Sequence, residues 1–145
     1  MYADPPSSAA VAIRRVTHAY SHLLMHALAY HSSYSSNSVA EYLLERQASA
    51  LVYVAKYTSF NLGGLAALAE QHLRRWIESA TGSAWSCVHD PVCLSERGGC
   101  HKCLAVAFGC ERFNKGLDRG YLVGGGPQDI AEGYLFTARQ AEPPR

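Results

Sequence analysis

The chain has 145 residues, 48% of them hydrophobic, and a formal net charge of +1. This is one domain's worth of sequence with enough apolar material for a packed core, which excludes a mainly disordered chain. The near-zero charge excludes a long nonspecific grip on nucleic acid but leaves room for a local basic patch.

Residues 1–10, with a Pro-Pro and a Ser-Ser pair, read as a flexible lead-in to a module over 11–136. The start, MYADPPSSAAVAIRR, lacks the charged opening and apolar centre of a signal peptide. No apolar run approaches the roughly 20 residues that span a bilayer. A cytoplasmic protein with no membrane partner is expected. A helix is predicted from Val11 to Tyr30, with Ile13, Val16, Tyr20, Leu23, Leu24, Ala27 and Leu28 on one side at about 100° per residue. His18, His22 and His26 follow one another every fourth residue on the opposite side, beside Arg15. Two such histidines can share a metal, but no carboxylate lies near in sequence to complete a site. The row is expected to face solvent or to be covered by a partner.

HSSYSSNS reads as a turn, after which Asn37 or Ser38 is placed to cap a short helix, VAEYLLERQ. ALVYVAKY, from Ala50 to Tyr57, is β-branched and aromatic and reads as a buried strand. TSFNLGG follows as a loop, and its glycines fit a tight turn better than an anion site. A second long helix is predicted from Leu65 to Ala80, burying Leu65, Leu68, Ala69, His72, Leu73, Trp76 and Ile77, with Gly82 near its end. Beyond the cysteine-rich segment come a glycine-rich break, YLVGGGP, a short apolar stretch, IAEGYLF, and a polar tail over 137–145. The predicted class is α+β: a small single domain with two long helices on a short sheet and a four-cysteine zinc knuckle near the C-terminus.

All five cysteines fall in one stretch, spaced Cys87-x5-Cys93-x6-Cys100-x2-Cys103-x6-Cys110. An odd count in a reducing compartment argues against disulfides. A C-x-x-C pair flanked by further cysteines suits a tetrahedral Zn²⁺, whose softness thiolates match. Cys93, Cys100, Cys103 and Cys110 are the favoured ligands, with Cys87 as the alternative and His101 or His89 as substitutes. Such a closed site is structural, since no position is left for water or substrate. A redox C-x-x-C is disfavoured because no strand-then-helix context surrounds it. Arg97, Lys102, Arg112, Lys115 and Arg119 balance Glu96, Glu111, Asp118 and the double negative charge of a four-thiolate zinc centre. Those basic residues therefore suit neutralisation of the cluster as well as contact with phosphates.

The segments THAYSHLLMHALAYHSSYS, LVYVAKYTSFNLGGLAAL, WSCVHDPVC and CHKCLAVAFGCERFNKGLDRGYLV, spanning Thr17 to Val123, carry a family resemblance. The chain resembles the zinc-binding C-terminal domain of bacterial superfamily-two helicases of the MrfA type, and in particular its version in the DrmB proteins of DISARM anti-phage systems. The resemblance implies a bound Zn²⁺, the five cysteines as candidate ligands, Asn114, Leu117, Asp118 and Arg119 as a closing signature, and work linked to DNA in defence or repair. It also implies a helicase or other defence-system subunit as partner.

No G-x-x-x-x-G-K-[ST] loop is present, so the chain lacks that route to ATP hydrolysis, whether it is a stand-alone subunit or a fragment. A zinc deaminase needs His-x-Glu ahead of Pro-Cys-x-x-Cys, and HDPVC has neither. The expected function is therefore a non-catalytic zinc module that docks on a nucleic-acid motor. The alternatives are a subunit that binds DNA directly and, last, a nuclease using the histidine row. Arg14, Arg15, His18, His22, Arg74, Arg75, Arg112, Lys115 and Arg119 are the candidate contacts to nucleic acid or to a partner.

Overall fold

The computed structural model describes residues 8–56 and 64–140, the last three by backbone alone. Residues 1–7 of the predicted lead-in, the predicted strand's last residue with the loop up to 63, and the tail beyond 140 lie outside the described residues. Residues 8–10 and 137–140, expected in the lead-in and tail, are helical.

One helix organises the rest. α1, Ser8–His31, runs for 24 residues, about 36 Å at the helical rise. Its N-terminal half is partly exposed, but from His18 onward it is buried on most of its circumference. Leu23 and Leu28 have no exposed surface and form the centre of the core with Met25, Val39, Leu104 and Leu122.

An antiparallel hairpin packs on α1. β1, Val39–Leu44, pairs with β2, Ser49–Val54, in the register Val39 to Val54 through Leu44 to Ser49. The predicted helix VAEYLLERQ is therefore a strand followed by a single 3-10 turn, Glu45–Gln47. Ser38 does not cap a helix. Its carbonyl accepts the N–H groups of Ala55 and Lys56 at 2.8 and 3.1 Å, closing the open end of the hairpin. The free edge of β1 is also occupied: the Glu41 N–H donates to Gly109 O at 2.9 Å, and the Leu43 N–H donates to Glu111 Oε2 at 2.6 Å. These partners come from residues about seventy positions away, and they outweigh a local preference that is weak in either direction.

The strand predicted as buried is half-buried. β2 alternates between exposed and intermediate positions, with Leu51 and Tyr53 facing outward. The second long helix is two pieces, α2 (Gly64–Gln71) and α3 (Leu73–Ser83), broken at His72. Leu68, Trp76 and Ala80 are its buried residues, whereas Leu73 and Ile77 are substantially exposed. α3 lies along α1: Trp76 Nε1 donates to Leu24 O at 2.9 Å, and the hydroxyls of Tyr20 and Thr81 are 3.0 Å apart. Two short helices, α4 (Gly120–Val123) and α5 (Tyr134–Gln140), close the C-terminal end. Among the described residues no helix is long and apolar enough to cross a membrane.

Candidate metal centre

The cysteine segment is irregular, and short-range hydrogen bonds rather than repetitive structure shape it. The Asp90 carboxylate accepts the Cys87 N–H at 2.8 Å and pairs with Arg119. A single wide helical turn, Cys93–Arg97, ends at Gly98 with φ +70°. Gly98 is required there, because a Cβ would overlap the Asp118 side chain. The Gly98 carbonyl accepts the Arg119 N–H at 2.6 Å, so the closing segment is tied to the middle of the cysteine loop.

This scaffold brings Cys87, Cys93, Cys100 and Cys103 together, with all four sulfurs within 4.8 Å of one another. The Sγ separations are 3.6 Å for Cys87–Cys100, 3.5 Å for Cys93–Cys103 and 3.9 Å for Cys100–Cys103. A tetrahedral ion with Zn–S bonds of ~2.3 Å spaces its sulfurs by about 3.8 Å, so the residues fit zinc. Backbone N–H groups point at the sulfurs, from Cys100 to Cys103 at 3.2 Å and from Lys102 to Cys100 at 3.4 Å. Such donors stabilise thiolates. Burial raises the Cys100 thiol, but the Lys102 N–H, His89 and the neighbouring cysteines outweigh it and hold it at about 6. Burial and the adjacent sulfurs push the Cys93 thiol upward instead. Cys100 is thus poised as a thiolate, whereas Cys93 keeps its proton until a cation displaces it.

The ligand set differs from the favoured one by one residue. Cys87 stands where Cys110 was expected, and Cys110 belongs to a different group of side chains. His89 and His101 are not in the cluster. His89 Nδ1 lies 3.4 Å from Cys100 Sγ, in hydrogen-bonding range, and both rings are exposed.

The other predicted residues are distributed as follows. His18 and His22 do not face solvent: they are 3% and 0% exposed, and both meet the buried carboxylate of Glu41. Burial would raise the Glu41 carboxyl, but His18, His22 and Ser21 hold it well below the ordinary carboxylate range. Glu41 was missed because it sits on what reads as a helix, 19 positions from His22, and nothing in the spacing signals the meeting. Arg119 is also unavailable to a nucleic acid. It has no exposed surface, and its Nη2 pairs with Asp90. Arg14 and Arg112 both pair with Glu45, in a cleft of about 330 Å³ also lined by Arg15, His18 and Lys115. Arg74 and Arg75 are exposed on α3, and Arg74 pairs with Glu78 at 2.7 Å.

The fold and the cysteine cluster together define a small α+β zinc-binding module. The model of the MrfA Zn-binding domain family matches residues 20–104, more than half of the chain, and the chain belongs to that family. The matched span contains Cys87, Cys93, Cys100 and Cys103, and it stops short of Cys110 and the closing signature. No curated protein matches the chain.

Proposed function

We propose that this chain is a non-catalytic accessory module that docks on a helicase or other nucleic-acid motor in the cytoplasm, in phage defence or DNA repair. The observation that carries the reading is the outer face of the hairpin. Tyr42, Leu44, Leu51 and Tyr53 all point away from α1 and are 53%, 40%, 55% and 41% exposed, and Tyr42 stands directly opposite Leu51. Scattered apolar side chains on a surface are ordinary, but a contiguous aromatic and aliphatic face is the kind of patch that partners cover. The four-cysteine centre has no ligand position to spare, which suits a structural role. Membership of a family named for MrfA and the sequence resemblance to helicase-linked domains supply the partner class.

The test is affinity capture from the native cell with mass spectrometry, on the wild-type chain and on the double variant Tyr42→Asp, Leu51→Asp. The expected result is a helicase recovered with the wild type and lost with the variant, at unchanged zinc content. Recovery of no nucleic-acid motor by the wild type overturns the proposal.

A second reading, direct DNA binding, draws on the cleft of Arg14, Arg15, Arg112 and Lys115. Glu45 occupies two of those four cations, which leaves Arg15 and Lys115 for phosphates. Binding by so few cations would be weak, with only a shallow dependence on salt. Anisotropy titrations with single-stranded and duplex DNA at low salt test it, and absence of binding there removes it.

A further inference from the structure

The group that captures Cys110 is the strongest unassigned feature of the molecule. His18 and His22 come from successive turns of α1, Glu41 from the inward face of β1, and Cys110 from the segment laid along the edge of β1. Their ligand atoms lie within 4.8 Å of one another. His18 Nε2 is 3.1 Å from Glu41 Oε1 and 3.3 Å from Cys110 Sγ, and His22 Nε2 is 3.1 Å from the same Glu41 oxygen. We propose that His18, His22, Glu41 and Cys110 form a second zinc site, independent of the four-cysteine centre.

Three physical arguments support it. The first concerns the tautomer of His22. Its Nδ1 sits 2.8 Å from the Leu104 carbonyl, which can only accept, so Nδ1 carries the hydrogen. In a neutral ring the Nε2 lone pair then faces a carboxylate oxygen in a site without solvent. Two acceptors at that distance need a proton or a metal ion between them, and a divalent metal serves both histidines, the carboxylate and the sulfur at once. The second argument is charge. Two neutral imidazoles, one carboxylate and one thiolate exactly cancel Zn²⁺, so the centre is neutral where His18, His22 and Glu41 are almost wholly buried.

The third is the outer layer of contacts. Ligands of a metal are oriented by partners on their far sides. Here Leu104 O holds His22, the Ser21 hydroxyl holds the second oxygen of Glu41, and the Asn114 N–H donates to Cys110 Sγ at 3.0 Å. Mixed nitrogen, oxygen and sulfur donors at bond lengths of ~2.0–2.3 Å suit tetrahedral Zn²⁺. With four protein ligands and little solvent the site is structural, clamping α1, β1 and the Cys110 segment together.

The test is metal content of the purified full chain by inductively coupled plasma mass spectrometry, with zinc X-ray absorption on the same sample. The expected result is two zinc ions per chain and an absorption shell mixing sulfur with nitrogen and oxygen. Cys110→Ser and His18→Ala should each lower the content to one and leave an all-sulfur shell, whereas Cys87→Ser should leave the mixed shell. One zinc per wild-type chain with an all-sulfur shell overturns the proposal and leaves the group as a protonated histidine–glutamate cluster. Because that outcome is read on the wild type, a variant that fails to fold does not blunt the test.

Discussion

Arg119 is the largest side chain with essentially no exposed surface, and a buried guanidinium needs an anion nearby. Asp90 is that anion, and the same carboxylate fixes the Cys87 N–H. Nε and Nη1 of Arg119 have no hydrogen-bond partner among the described residues. Its charge is therefore held close to the loop that bears the first thiolate. Replacing Arg119 by Ala leaves Asp90 unpaired and opens a void. The expected cost falls within the ordinary ~0.5–3 kcal/mol range, because Asp90 is exposed to solvent, read from urea unfolding, with faster loss of zinc to a chromogenic chelator. Arg119→Lys restores the charge but not the planar fork, and is expected to recover only part of the stability. Asp90 also explains why Cys87 is the fourth ligand. In the sequence Cys87 and Cys110 flank Cys93–Cys103 at almost equal spacing, so a count of residues cannot choose between them. The choice is made by one hydrogen bond to Asp90 on one side and by the docking of Gly109 on the other. Cys87→Ser should accordingly abolish zinc binding at the four-cysteine centre, measured by metal content, whereas His101→Ala should leave it unchanged.

Among the elements, β1 supplies Glu41 to the group of His18, His22 and Cys110 and was the least visible in the sequence. VAEYLL carries no strong local signal, and its only polar inward residue, Glu41, breaks the apolar alternation of that face. It is a strand because its two edges are filled, one by β2 and the other by Gly109 and Glu111. Both are non-local facts. By contrast α1, with its 24 residues of periodic apolar pattern, was legible almost to its ends. What the pattern could not show was that its histidine side would be covered as well. Residues 100–110 lie against that side, with His22 and His26 hydrogen-bonded to the Leu104 carbonyl at 2.8 and 3.2 Å. The seam between β1 and this segment depends on Gly109, which has φ +85° and whose Cβ, if present, would overlap Val39 O. Gly109→Ala is thus expected to destabilise the fold at or above the upper end of the ordinary ~0.5–3 kcal/mol range. It should also make Cys110 react faster with a thiol reagent while the four clustered cysteines stay protected. Equal reactivity in wild type and variant would show that Gly109 does not place Cys110.

For the whole molecule, the question is what holds the C-terminal half, which has little regular structure to hold it. Between α3 and α4, residues 84–119 contain one five-residue helical turn, Cys93–Arg97, and otherwise turns and loops. Apart from the cysteines, their apolar contribution to the core is Ala84, Leu104 and Val106 with the partly buried Leu117, too little burial to order 36 residues at roughly 1–2 kcal/mol of backbone entropy each. Metal ligation supplies the difference, because binding free energy at a site absent from the unfolded chain is folding free energy. The loss of zinc should then be uneven across the molecule. The contact of α1 with α3 rests on Trp76, Tyr20 and aliphatic packing and touches no ligand, so its amides should keep much of their protection. Residues 87–119 should lose protection together with the histidine-bearing turns of α1 that they cover. Hydrogen exchange before and after exhaustive chelation reads this division directly, and a melting temperature unchanged by complete metal removal would mean that the loops are held by something other than zinc.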